Sequence, residues 1–278
     1  MPAGDPRAAI EWCRGFGDTS GAVAIRRGEI VAFMLGDVGD HPIFGRNAWV
    51  ERPGHAAIDP DALRELYAFL AERWVAAGVE RHYVLVPALA EDLDPWHRLG
   101  FHYMHVEAIR ESGYGPVTLP RGVMIRSGTA DDFDRAASID ALIAEQQELT
   151  PSFSRVAIDH DARRRGWLET NLHEPGTTYL VAERGGQIIG HAFLRRPEPE
   201  FGVPTDAVYL ASVAVEPADR GTGVGVALTA YALDRARETG YSTVVTNWRM
   251  TNLLASRFWP ARGFRPVYHR LHRAVGTA

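Results

Sequence analysis

The chain has a single cysteine, Cys13, among 278 residues. No disulfide can form within it, and a reducing cytoplasm is the expected setting. Nothing near Cys13 in the sequence would activate a thiolate, so a buried or idle thiol is expected. Lysine is absent, and all 30 basic residues are arginine. That excludes a phosphate loop ending in Gly-Lys-Ser/Thr. Long apolar runs are also missing. No stretch approaches the roughly 20 residues that cross a bilayer, and residues 1–10 lack the apolar centre of a signal peptide. Nor is there a strong excess of one charge. A net charge of −5 gives no electrostatic reason to expect nucleic acid or an anionic membrane as a partner.

What is present reads as a soluble globular protein, with 46% hydrophobic and 23% charged residues. The length is generous for one domain and comfortable for two. One plan occurs twice. Gly21–Leu35 reads as strand, tight turn, strand, and so does Thr178–Leu194. An amphipathic helix from Asp61 to a stop at Gly78 precedes the strand His82–Val86. Its counterpart is a helix from Val224, a stop at Gly240 and a strand at Thr243. Both halves then carry Trp-x-x-x-Gly-Phe, at Trp96–Phe101 and Trp259–Phe264. Two long copies predict tandem domains rather than a solenoid. The expected boundaries are 1–115 and 121–278, with Ser112–Gly122 as a linker rich in turn formers. Thr129-Ala-Asp-Asp132 predicts a helix start in the second domain.

The copies differ where chemistry would occur. In the second, the apolar strand Tyr209–Val215 meets Glu216-Pro217-Ala218-Asp219, then Arg220-Gly221-Thr222-Gly223-Val224-Gly225-Val226 and a helical pattern. Such a turn leaves backbone N–H groups unpaired at a helix N-terminus, where the helix dipole adds partial positive charge. Glycines let that backbone approach a ligand closely. The outcome is an anion site suited to a pyrophosphate, reinforced by Arg220. A ligand-free Gly-rich turn is the plain alternative. The dinucleotide fingerprint G-x-G-x-x-G fails, because Val226 stands at the third glycine. In the first copy, Asn47–Asp61 has no spaced glycines, and Glu51, Asp59 and Asp61 would oppose an anion.

Arg220-x-x-Gly223-x-Gly225 after this strand resembles the Q/R-x-x-G-x-G/A signature of the GNAT superfamily of N-acetyltransferases. A second block, Asn252-x-x-Ala255-x-x-Phe258-Trp259-x-x-x-Gly263-Phe264, resembles the family's N-x-x-A-x-x-F-Y-x-x-x-G-F. It departs at Trp259, where the family often has a Tyr that protonates the leaving thiolate. The two blocks span roughly residues 178–272. The resemblance implies an α/β (mixed α+β) fold of two tandem GNAT-like domains, each a mixed central sheet flanked by helices, the first degenerate and without an acetyl-CoA loop. It implies acetyl-CoA as co-substrate and no metal. Arg220, Gly221, Thr222, Gly223, Val224, Gly225 and Val226 would hold the pyrophosphate. Val213, Ala214 and Val215 would line the pantetheine arm beside Asn252 and Phe258. The Val213 backbone N–H would polarise the thioester carbonyl next to a strand bulge.

Acetyl transfer also needs a neutral amine and a released thiolate. In one branch of the family a Glu acts as base where Tyr209 stands here. Tyr, with a reference pKa near 10, is a poor base unless perturbed, and a packed aromatic is the plain reading. Glu145 and Glu148, three apart on a helix, are further candidates beside His160, Asp161, Glu169, His173 and Glu174. A solvated helix face explains these acids equally well. His191 reads more simply as a core histidine. A thiol with a reference pKa of about 8.5 leaves tolerably without an acid, and Tyr268 or a water is a possible substitute. His102 with His105, and His269 with His272, fall on opposite strand faces, so a shared metal is not expected. The expected acceptor is a primary amine on a small molecule, and the expected assembly a monomer or homodimer. The rival reading is a non-catalytic acyl-CoA-binding or regulatory protein.

Overall fold

The computed structural model describes residues 10, 14, 20–41, 44–154, 160–172, 174–198 and 200–276. Cys13 and His173 lie outside the described residues, as do the side chains of His160 and Asp161. The chain forms two compact units. One gathers the residues up to Glu107 with Glu200–Val203 and Pro266–Ala278, and the other comprises Ala108–Pro199 and Pro204–Arg265. Among the described residues, no helix is long and apolar enough to cross a membrane.

The first unit opens with β1 (Ser20–Arg26) and β2 (Glu29–His41), an antiparallel hairpin. Arg27 and Gly28 both have positive φ at its turn, the backbone form that matches strand twist. Next come β3 (Gly45–Val50), β4 (His55–Ala57), helix α1 (Pro60–Ala76), β5 (Arg81–Pro87) and α2 (Ala90–Arg98). Strands β3 and β5 are parallel over three registered pairs, Ala48↔His82 to Val50↔Val84. The core centres on Met34, Leu70, Trp74, Trp96 and Phe101. Trp96 meets Phe101 edge-on at 5.2 Å across the positive-φ Gly100, so the Trp-x-x-x-Gly-Phe run is a packing turn.

The compact units divide the chain differently from the expected boundaries at 1–115 and 121–278. Strand β6 (His102–Glu111) begins in the first unit, and its residues from Ala108 on count with the second. The last strand of the chain, described below as β12, pairs with β5 from Tyr268↔Pro87 to Ala274↔Arg81. The end of the chain therefore completes the first unit's sheet. Residues 112–115 are no free linker either. Ser112 and Gly113 donate their N–H groups to the carbonyls of Ser242 and Leu233, and the Tyr114 N–H bonds the Asp234 carboxylate at 2.8 Å.

The second unit runs β7 (Val123–Ser127), α3 (Phe133–Glu148), α4 (His160–Leu172), β8 (Thr178–Arg184), β9 (Gln187–Arg195), β10 (Ala207–Val215), α5 (Val224–Glu238), β11 (Thr243–Arg249) and α6 (Leu253–Phe258). β12 (Arg265–Ala274) follows. Its sheet order is β11-β10-β9-β8-β7. A capping box between Thr129 and Asp132 starts the helical segment leading into α3, as the sequence predicts. Its core packs Ile139 and Leu168 of α3 and α4 on Val181, Phe193 and Ala214 of the sheet. Both units are mixed sheets flanked by helices, and that expectation holds.

Candidate active site

The site forms where two parallel strands stop pairing. β10 and β11 share three registered pairs, the last being Tyr209↔Val245, and none follows. On its other side β10 pairs with β9, but the register slips between Leu210↔Leu194 and Ser212↔Phe193. Ala211 is the extra residue, a bulge that re-aims the backbone after it. Val213, the expected carbonyl-polarising donor, lies two residues past the bulge.

Beyond Val215 the chain turns through Pro217–Asp219 into the glycine loop. Asp219 is buried and anchors this turn. Its carboxylate pairs with Arg184 of β8, and its carbonyl accepts the Thr222 hydroxyl at 2.7 Å. Thr222 is thus a loop brace through its side chain. Gly221 (φ 77°) and Gly223 (φ 95°) are both left-handed, and Gly223 is the residue that opens α5. A side chain would be strained at either. The first helical turn bond is Ala227 N–H to Gly223 carbonyl at 3.0 Å. The amides of Val224, Gly225 and Val226 precede it and have no intrahelical acceptor. The first turn of α5 carries no acid to neutralise them.

Arg220 stands beside this turn. Its Nε donates to the Val215 carbonyl at 3.3 Å and its Nη1 to Gln146 Oε1 at 3.1 Å. Both acceptors are neutral, so the guanidinium keeps its full charge. A Cβ on Gly225 would sit 3.5 Å from the Phe258 ring and 3.6 Å from Val215, ordinary contact distances, and its φ is not positive. Nothing in the fold itself requires glycine there. Phe258 is half-buried, edge-on to Trp259 at 5.0 Å and under the Arg262 guanidinium at 4.4 Å.

Other expected residues take structural posts. Asn252 caps α6, its Oδ1 accepting from the Leu254 and Ala255 N–H groups at 3.1 and 3.2 Å. Trp259 is buried and edge-on to Phe264 at 5.1 Å. An indole suits that packing role, and it supplies no proton near neutral pH. Tyr268 belongs to the first unit and lies 4.7 Å under the Arg52 guanidinium, with burial raising its phenol pKa. Glu145 and Glu148 are exposed on α3, and Glu169 and Glu174 are exposed as well. Tyr209 is half-buried. Its oxygen accepts a hydrogen bond from the Asn247 amide, and its ring lies 5.1 Å from the Arg195 guanidinium.

His191 is fully buried. Its Nε2 lies 3.3 Å from Asp140 Oδ1 and 3.4 Å from Ser212 Oγ, and the Ser212 hydroxyl donates to Asp140. Asp140 and Ser212 are polar members of the site region that sequence reasoning missed. The available signals were a carboxylate on the apolar face of α3 and a hydroxyl inside an otherwise apolar strand. Arg195 was missed as well, since only the β9–β10 register places it opposite Tyr209. Among the described residues, no three His, Cys, Asp or Glu side chains gather as metal ligands do.

A sequence profile of the Acetyltransferase (GNAT) family matches residues 142–264. The mycothiol acetyltransferase of Sanguibacter keddieii is 36% identical over 89 residues, covering 31% of this chain and 28% of that protein. The aminoalkylphosphonate N-acetyltransferase of Salmonella typhimurium is 27% identical over 154 residues, 54% of this chain and 90% of that protein. The match to the mycothiol acetyltransferase of Cellulomonas flavigena spans 42% of that relative's length. Among solved structures, a GCN5-related N-acetyltransferase from Sphaerobacter thermophilus matches with a TM-score of 0.65 at 15% identity, over 100% of this chain and 88% of that one. A tandem GNAT protein from the clavulanic acid biosynthesis pathway matches with a TM-score of 0.51 at 14% identity, over 94% and 84%. At these identities the structural likeness is one of fold.

Proposed function

We propose that the chain, whose residues 142–264 match the Acetyltransferase (GNAT) family, is an acetyl-CoA-dependent N-acetyltransferase acting on a primary amine of a small molecule. The observation that carries this reading is the start of α5. Three amides without acceptors, a turn opened by two left-handed glycines, an uncompensated Arg220 and no acid in the first turn form an anion cradle. Gly225 adds to it, being bare where the fold has room for a methyl group.

In this reading the amides from Gly221 to Val226 and the Arg220 guanidinium bind the pyrophosphate of acetyl-CoA. Val213, Ala214 and Val215 lie along its pantetheine arm, flanked by Phe258 and by α6, which Asn252 caps. The Val213 N–H takes up the charge that grows on the carbonyl oxygen as the amine nitrogen attacks. The C–N bond forms, the C–S bond breaks, and the nitrogen loses one proton while the departing thiolate gains one. Tyr209 and Glu148 are the side chains assigned to the amine proton. Trp259 gives no acid, so solvent protonates the thiolate. The first unit is read as a degenerate copy. The N-terminus of α1 is capped by the Asp59 side chain, which accepts from the Asp61 N–H at 3.0 Å, and Asp61 adds charge that repels an anion. The small acceptor is supported by the Salmonella typhimurium relative, whose name specifies an aminoalkylphosphonate.

A second reading, an acyl-CoA-binding protein without turnover, draws on the buried Trp259 and on the Tyr209 oxygen already accepting from Asn247. Thiol release from acetyl-CoA with a panel of amines separates the two. Turnover supports the enzyme. Heat of binding in calorimetry without any thiol release supports the binding protein.

A further inference from the structure

We propose that the acceptor amine carries an oxyanion, a carboxylate or phosphonate, and that Arg195 recognises it; this rests on the acetyltransferase reading above. Several guanidinium groups elsewhere in the second unit are matched with acids. Arg126 pairs with Asp132, Arg135 with Glu216 and Arg184 with Asp219. Arg195 differs. Its Nη1 donates to the Arg196 carbonyl at 3.0 Å, its Nε is buried without a hydrogen-bond partner, and no carboxylate pairs with it among the described residues. The guanidinium lies 5.1 Å from the Tyr209 ring and 5.7 Å from the Trp167 ring. Aromatic faces attract a cation but do not neutralise it. A half-buried positive charge without a counter-charge is unfavourable, and a ligand oxyanion would relieve that.

Its location makes the charge useful. Arg195 is the cross-strand partner of Tyr209, on the last rung before β10 and β11 part. Trp167 of α4 packs on Phe193 at 5.6 Å, so the cluster lies on the α3–α4 face of the sheet. Tyr209 and Val213 are four residues apart on β10, about 13 Å at ~3.3 Å per residue. The long arginine side chain covers part of that distance, so a short acceptor with its amine toward Val213 has its other end on the Arg195 side. A planar guanidinium binds a carboxylate or phosphonate with two parallel N–H donors. A purely cationic acceptor would be repelled by it.

The test compares 2-aminoethylphosphonate, β-alanine and propylamine as acceptors, following thiol release from acetyl-CoA. For the native chain, the two oxyanion-bearing amines are expected to exceed propylamine in kcat/KM by about tenfold or more. Arg195→Gln should collapse that ratio through KM rather than kcat, and Arg195→Lys should keep part of it. A larger effect for phosphonate identifies the dianion as the preferred group, and a larger one for β-alanine the carboxylate. Equal use of propylamine by the native chain, or an unchanged ratio in Arg195→Gln, overturns the proposal. Melting with 2-aminoethylphosphonate in the presence of CoA gives a readout without turnover. A rise in Tm in the native chain that Arg195→Gln abolishes supports the proposal, and no rise in either overturns it. Calorimetry with acetyl-CoA separates the two failures, since binding heat leaves the donor reading standing even where Arg195 fails.

Discussion

Ser212 donates its hydroxyl hydrogen bond to Asp140 where neither side chain meets solvent, and His191 Nε2 completes the group 3.3 Å from the same carboxylate oxygen. The three residues come from β10, α3 and β9. They tie the strand just past the Ala211 bulge to the helix beneath it. Asp140→Ala leaves the imidazole and the hydroxyl buried without their acceptor. A loss of about 3 kcal/mol in unfolding free energy is expected, the scale for breaking one side of a buried pair. Ser212→Ala removes one donor and should cost about 1 kcal/mol. Urea denaturation of the two variants checks the order, and equal stability of Asp140→Ala and the native chain refutes the role assigned to Asp140.

Gly225 separates folding from binding. Its backbone is ordinary and a methyl group there has room. Alanine is the better helix former by up to about 1 kcal/mol. Gly225→Ala should therefore melt at or slightly above the native Tm, yet bind CoA about tenfold more weakly, because the methyl group keeps a phosphate away from the neighbouring amides. Calorimetry with CoA and a melting curve on the same sample decide it. Unchanged affinity would remove the glycine loop as a pyrophosphate cradle.

How much of this was readable beforehand follows from sequence distance. The two hairpins, the Thr129 capping box, the glycine loop and the Trp-x-x-x-Gly-Phe turns are local. Their turn chemistry and periodicity stand in fewer than about twenty consecutive residues. The Ser212–Asp140 bond joins residues 72 apart. The placement of Arg195 opposite Tyr209 depends on a register that a bulge shifts by one. The pairing of the last strand with β5 is longer-range still, so a boundary drawn from the linker-like composition at Ser112–Gly122 carries no sign that the end of the chain groups with the first unit. Asn252 and Trp259 fit their motif by residue type. Their observed hydrogen bonds and contacts are those of a helix cap and a core aromatic.

The anchor of the glycine loop makes a prediction of its own. Asp219 holds the loop through Arg184 and through Thr222. Asp219→Asn keeps the backbone bond from Thr222 but removes the charge that holds Arg184, which is partly exposed. The fold should tolerate this within about 1 kcal/mol. Loosening the loop should still weaken CoA binding, with the loss falling on affinity rather than on kcat at saturating CoA. Steady-state kinetics at varied acetyl-CoA read this directly. A fall in kcat with unchanged KM would place Asp219 in the chemistry instead.

A buried histidine and a half-buried glutamate in the first unit give its stability opposite pH slopes. Burial pushes His82 down to about 4, with Tyr67 OH 2.8 Å from its Nδ1. Burial together with Glu200 pushes Glu51 up to about 7. For His82 the folded state binds fewer protons than the unfolded chain between about pH 4 and the usual 6.5, so stability is lost as pH falls through that window. For Glu51 the folded state binds more protons between the usual 4.5 and about 7, so stability is lost as pH rises. Glu51→Gln should therefore gain Tm relative to the native chain between pH 5 and pH 8. His82→Gln should show a flatter Tm profile than the native chain between pH 6.5 and pH 4.5. The two variants move the acid and neutral limbs of the curve separately, which a shared loss of packing would not do. Parallel Tm profiles for Glu51→Gln and the native chain across pH 5 to 8 would mean that Glu51 does not hold its proton in the folded state.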